Sequence, residues 1–254
     1  MILAMDIGNT NITIGVYDGK ELLFVSRMAT DCSRMEDQYA IELRDILEIY
    51  GICIKDIEGA VISSVVPPVN EYIVRAIKKL TNVEPICVGC NTKTNITIDE
   101  ERKEMVGADL IVGCVAAAKI YDGPCIVLDM GTATTLVVLD RNKKMLGGAI
   151  VPGVGISMDA LTRKTAQLPS ISLQPPKHAI GGDTIECMRS GILLGTACMI
   201  DGMIDKMEEE LGEKCSLIAT GGLSREIVPL CRHKIHFCDI LLLEGLRTIY
   251  EDNK

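Results

Sequence analysis

Asp6-Ile7-Gly8-Asn9-Thr10 follows the apolar run Met1 to Met5, and Asp129-Met130-Gly131-Thr132-Ala133 follows the apolar run Cys125 to Leu128. Each is succeeded by an alternating segment, Asn11 to Tyr17 in the first case and Thr134 to Leu139 in the second, and then by a turn at Asp18-Gly19 or at Asp140 to Asn142. The pattern predicts strand, tight loop, strand, with a third strand from Leu22 to Arg27 completing a meander in the first copy. The two Asp-x-Gly turns stand 123 residues apart in a chain of 254. A solenoid would repeat every 20 to 50 residues or so, and a single repeat at half the length predicts a duplicated domain. Two similar halves, 1–121 and 122–254, with a cleft between them follow.

Helical patterning and further strands follow each meander, so both halves belong to the α/β class. Gln38 to Tyr50 carries apolar residues at helical spacing, Gly59 to Val66 reads as a buried strand that Pro67-Pro68 ends, and Asn70 to Leu80 reads as a helix. Gly107 to Tyr121 is a helix leading into the second half. There, Ser157 to Arg163 and Thr184 to Leu211 are helical, Leu217 to Thr220 is a strand and Asp239 to Tyr250 is the last helix. Gly191 and Gly195 sit in the middle of the long helix, where glycine weakens it.

Composition narrows the function. With no Trp, two Phe and a net charge of -9, the chain lacks the aromatic platforms and cationic excess that nucleic acids require. The eleven Cys are scattered through apolar runs and no secretory signal precedes them, which predicts a reducing, cytoplasmic setting. Cys87-Val88-Gly89-Cys90 has no second pair at zinc spacing and reads as loop cysteines. His233 and His236 alternate along a short strand and point to opposite faces, against a shared metal. Glu208-Glu209-Glu210 reads as a solvated helix end. Gly191 to Met199 soon meets Asp201, short of the ~18 apolar residues that cross a bilayer, so no membrane partner is expected.

The Asp-x-Gly turns carry the chemistry. Glycine lets backbone amides approach a phosphate while Asn9 and Thr10 add polar contacts. Asp6 beside phosphates requires Mg2+, bound directly or through water, because like charges otherwise repel. Two such turns would clamp a polyphosphate. Ala219-Thr220-Gly221-Gly222-Leu223-Ser224 adds a flat strand-turn-helix junction suited to a purine or ribose.

Taken with Ser63-Ser64-Val65-Val66-Pro67-Pro68, Val106-Gly107-Ala108-Asp109, Gly147-Gly148 through Pro152-Gly153, and Thr165 to Pro169, these motifs resemble the type III pantothenate kinase family from end to end. The resemblance implies two tandem ribonuclease H-like (actin-like) halves, each a mixed sheet with flanking helices. It implies transfer of the ATP γ-phosphoryl to the primary hydroxyl of pantothenate, with Mg2+, a monovalent cation (K+ or NH4+) and a homodimer. By the same resemblance, Asp6, Gly8, Asn9, Thr10, Asn11 and Thr13 form the first ATP loop, and Gly131 and Thr132 the second, with Gly221 and Gly222 beyond them. Asp129 is the monovalent-cation ligand, Asp109 the general base, and Gly107, Ala108 and Thr184 contact the substrate.

Two substrate-side positions depart from the family pattern. Arg usually follows the catalytic Asp, where this chain has Leu110, and a Tyr-x-Asn-Pro segment usually stands where Glu100, Glu101, Arg102 and Lys103 are found. Losing a guanidinium and gaining a carboxylate both disfavour an anionic acceptor. Three readings remain open: Arg102 or Lys103 supplies the charge, the acceptor is a less acidic alcohol, or ATP is bound without efficient turnover. An ATP-dependent regulatory protein on the same fold is the competing class.

Overall fold

A computed structural model describes residues 1–89 and 91–254; Cys90, and with it the second half of the Cys87 to Cys90 pair, lies outside the described residues. The chain forms two compact units.

Unit 1 comprises Met1–Asn95, Asp99–Ala116 and Leu241–Lys254. Its strands are β1 (Ile2–Ile7), β2 (Asn11–Asp18), β3 (Glu21–Ala29), β4 (Gly59–Ser64) and β5 (Ile86–Cys87). They lie in the order β3-β2-β1-β4-β5, antiparallel through the meander and parallel from β1 to β5. Alternation sorts the side chains: Leu3, Met5 and Ile7 of β1 join Ile12, Ile14 and Val16 of β2 in one core. Helices α1 (Glu36–Ile49) and α2 (Pro67–Thr81) close that core with Tyr39, Leu43, Leu47, Ile73 and Ile77. Pro67-Pro68 does end β4, but it also opens α2, since proline's fixed φ and missing N–H are harmless in a first turn.

Unit 2 comprises Ile96–Ile98 and Ala117–Ile240. Strands β6 (Cys125–Met130), β7 (Ala133–Leu139), β8 (Met145–Pro152), β9 (Ser216–Thr220) and β10 (His236–Phe237) repeat the pattern as β8-β7-β6-β9-β10, antiparallel then parallel. The predicted duplication is thus an identity of sheet order and strand direction. Helix α3 (Ala108–Ile120) contains the boundary between the units; α4 (Val154–Lys164), α5 (Thr184–Arg189), α6 (Gly195–Leu211) and α7 (Ser224–Ile227) belong to unit 2.

The boundary differs from a simple cut at 121. The last helix, α8 (Leu241–Asp252), belongs to unit 1, where Leu243, Leu246 and Ile249 are buried and the Tyr17 hydroxyl donates to Glu244 Oε1 at 3.0 Å. Its amphipathic face is complementary to the first sheet, and sequence order does not reveal which sheet it covers.

The long helix runs unbroken through Thr184–Leu211, but Ser190–Leu194 forms a π-helical turn between α5 and α6. The two glycines predicted to weaken the helix flank or occupy this turn, where a wider backbone ring is accommodated. By length and composition the helix could cross a membrane. Its apolar residues Ile192, Leu193, Ala197, Ile200 and Ile204 instead fill the unit 2 core, and Met199, Met203 and Met207 pack on its edge as the four-residue spacing predicts. Glu208 corrects the reading of a solvated helix end: its side chain is 6% exposed, accepting from the Cys215 N–H at 2.9 Å and pairing with Lys214. Glu209 and Glu210 are exposed.

Candidate active site

In unit 1, Asp6 ends β1 and faces Thr13 of β2 and Ser63 of β4 in register. In unit 2, Asp129 ends β6 and faces Thr135 of β7 and Thr220 of β9. Each aspartate therefore sits in a row of hydroxyl, carboxylate, hydroxyl across three strands. Cross-strand partners share a sheet face, so a row of oxygens is a consequence of register.

The turns match as well. The Gly8 N–H donates to the Asn11 carbonyl at 3.0 Å, and the Gly131 N–H donates to the Ala133 carbonyl at 3.0 Å. In the first turn, Thr30 donates from its hydroxyl to the Gly8 carbonyl at 2.6 Å, which pins the backbone and leaves Asn9, Thr10 and Asn11 exposed.

Unit 2 gathers three sequence motifs at the carboxyl ends of β6 and β9. The Gly153 N–H donates to the Thr132 carbonyl at 3.1 Å, placing the start of α4 against the second turn. Gly221 has φ of +94°, and a Cβ there would lie 2.6 Å from Asp129 Oδ1 and from the Met130 backbone nitrogen. Only glycine allows that approach. Thr134 and Thr135 each have a buried hydroxyl with no hydrogen-bond partner among the described residues, and the same holds for Ser63 beside Asp6. Buried hydroxyls normally find partners, which sets these three apart from the other buried hydroxyls of the described residues. The alternation of the strands hid them; only register shows that Ser63 flanks Asp6 and Thr135 flanks Asp129, whereas Thr134 pairs with Met130.

Asp109 occupies the first turn of α3, adjacent to Ala108 and Leu110, and is half-buried. Its Oδ1 accepts the Leu110 N–H at 2.8 Å. Burial pushes its pKa above the usual carboxylate range, against the lowering effect of the backbone N–H donors of Leu110 and Asp109. A carboxylate so placed is a stronger base than one in water. Glu100 is exposed and ion-paired with Lys103 at 2.5 Å, and Leu110 is half-buried.

Thr184 opens α5, behind Asp183, whose carboxylate caps the helix by accepting from the Glu186 N–H at 2.9 Å. It lines an open groove of about 1130 Å³ in unit 2, together with α4 and the π-helical turn through Gly191 and Ile192. Sequence reasoning singled out Thr184 but not this groove, because a π turn leaves no distinct sequence period.

A duplicated five-strand sheet of this order, with an aspartate near the carboxyl end of the first strand in both copies, is the actin-like class of fold. A ROK hexokinase from Thermus thermophilus shares this fold, at a TM-score of 0.53 and 13% identity, over 100% of this chain and 99% of its own. Within that class, the chain belongs to the type III pantothenate kinase family, whose sequence profile matches residues 2–206. A type III pantothenate kinase of an Exiguobacterium species is 42% identical over 100% of both chains, and one from Moorella thermoacetica is 41% identical over 100% of both. Membership of this family makes the protein an ATP-using kinase.

Proposed function

We propose that this protein transfers the γ-phosphoryl of ATP to the primary hydroxyl of pantothenate, the first step toward coenzyme A, and does so as a cytoplasmic homodimer. The observation that carries the reading is Asp109, a carboxylate raised in basicity by burial at the head of α3. A kinase needs such a group to accept the hydroxyl proton and align the attacking oxygen. A nucleotide-binding switch has no use for it.

The residues present suit the implied cofactors. Bound ATP supplies the phosphoryl group, and Mg2+ supplies charge neutralisation on its oxygens. Gly8 to Asn11 with Thr13, and Gly131 with Thr132, offer backbone amides and hydroxyls to phosphate; Gly221 and Gly222 offer a flat surface to the nucleoside. Asp6, with Thr13 and Ser63, is a hard oxygen set appropriate to Mg2+, directly or through water. Asp129, with Thr135 and Thr220, is one appropriate to K+ or NH4+, and the unpartnered Thr135 hydroxyl supports it. Gly107, Ala108 and Thr184 contact the acceptor.

A second reading rests on the substrate side. Lys103 is already paired with Glu100, and Leu110 offers no charge, which favours a less acidic alcohol as acceptor. ADP release by the pure protein, measured with pantothenate and with neutral primary alcohols, separates the two. Brisk turnover on pantothenate disposes of the second reading; the absence of acceptor-dependent turnover with any alcohol overturns the kinase reading.

A further inference from the structure

Between α4, which ends at Lys164, and α5, which begins at Thr184, residues 165–183 cross unit 2 without a helix or a strand. Connections this long without regular structure are uncommon in compact domains, and an ordered one is usually a functional loop. Both ends of this strap line the groove of unit 2: Thr165 and Leu168 where it leaves α4, Gly182 and Asp183 where it reaches Thr184. The course of the strap therefore sets the walls of the groove.

Apolar burial anchors the strap only in part. Ile171 is buried and Leu173 half-buried, but Ser172, Gln174 and Lys177 to Ile180 are exposed. Polar contacts do the rest. Arg189, the last residue of α5, donates from Nη2 to Ser172 Oγ at 2.9 Å and to Gln174 Oε1 at 3.3 Å. From Nη1 it donates to Glu186 Oε1 at 3.1 Å, and the Glu186 N–H is the one that Asp183 caps. The guanidinium thus joins the middle of the strap to the helical turn that Thr184 opens. Ser190 adds a hydrogen bond from its hydroxyl to the Ala179 carbonyl at 2.6 Å.

The Arg189 side chain is 18% exposed, and its Nε is buried with no hydrogen-bond partner among the described residues. Burying a donor unpaired is unfavourable, so the Nη contacts are what keep the guanidinium in place. A planar fork of donors reaches both segments at once, which a single ammonium does not.

We propose that Arg189 is a positioning residue for the acceptor: by tying residues 172–174 to the first turn of α5, it holds Thr184 and the strap in the geometry of the acceptor groove. The role rests on the reading above that Thr184 contacts the acceptor. Arg189 is not among the residues lining the groove, so its effect passes through the strap.

The test compares the full chain with Arg189→Met and with the double variant Ser172→Ala, Gln174→Ala, which leaves α5 untouched. Trypsin cleavage after the exposed Lys177, followed by mass, reads the strap independently of catalysis. Cleavage should run about tenfold faster in both variants, since proteolysis tracks the population of the opened segment. In ADP release, the KM for pantothenate should rise about tenfold while kcat and the KM for ATP stay within about twofold of wild type. Ser172→Thr keeps the hydroxyl and should behave as wild type in both assays. Unchanged cleavage, or an unchanged KM for pantothenate beside normal wild-type turnover, overturns the role of Arg189 and leaves the acceptor reading standing. A KM for ATP that rises in step with that for pantothenate overturns it too, as general loosening of the fold. A wild type without turnover on pantothenate removes the acceptor reading itself, and this role with it.

Discussion

The carboxylate of Asp109 folds back over Gly107 so closely that a Cβ on Gly107 would lie 2.5 Å from Oδ1. Beyond the carboxylate itself, whose Cγ would lie at 3.6 Å, the nearest atom is Val65 Cγ1 at 3.8 Å, so the glycine makes room for the carboxylate alone. Gly107→Ala is therefore expected to leave the fold intact while turning the Asp109 side chain aside. A displaced catalytic group costs up to about a hundredfold in rate. Melting temperature should change little while kcat falls, and an unchanged kcat would show that Asp109 acts from another rotamer or not at all.

Asp109→Asn keeps the shape and removes the base. Turnover should drop by about 10²- to 10⁴-fold, the usual contribution of a general base, with the KM for ATP nearly unchanged. Steady-state ADP release reads both constants. A fall in ATP affinity with kcat preserved would contradict the assignment.

The raised pKa of Asp109 also fixes a pH dependence. The ionised form is the base, so kcat/KM should decline as pH falls through an acid limb above the ordinary carboxylate value of 3.8. Stability runs the other way. A carboxyl whose folded pKa exceeds its unfolded pKa contributes most when protonated, and that contribution is lost as pH rises through the folded value. Asp109→Asn should thus melt higher than wild type at neutral pH, with the gap closing below the unfolded pKa.

Gly221→Ala is predicted to damage both stability and nucleotide binding. Its φ of +94° is disfavoured for alanine, and the added methyl would meet the Met130 backbone nitrogen and carbonyl carbon at 2.6 Å. Backbone cannot swing away as a side chain does. Strain of this kind costs on the order of 1 to 3 kcal/mol, readable by urea denaturation. A variant as stable as wild type would mean that the turn relaxes freely.

Thr135→Val separates a cation site from a packing role. The two side chains are nearly isosteric, and the Thr135 hydroxyl is buried without a protein partner, so its loss should leave stability unchanged or improved. Activation by K+ or NH4+ should weaken markedly. Retained cation dependence would remove Thr135, and the row it forms with Asp129, from the proposed cation site.

Much of this protein was legible before any coordinate. The repeated Asp-x-Gly turn predicted a duplicated domain because a strand, a glycine turn and a second strand leave a period-2 signature that survives in one sequence. Asp109 was singled out only through the resemblance its motif carries. The groove beside Thr184 was not, nor was Glu208, whose neighbours suggested solvent. Burial of one glutamate among three depends on which face α6 turns toward Cys215 and His233.

By itself, the sequence determined the number of sheets, the turns that end β1 and β6, and the family, since each rests on local pattern and residue spacing. Tertiary structure decided the unit that α8 completes, the hydroxyls that flank Asp6 and Asp129, and the segment that Arg189 holds against α5. Those are contacts between residues far apart in the chain, set by strand register and helix rotation, and many partners satisfy the same local pattern equally well.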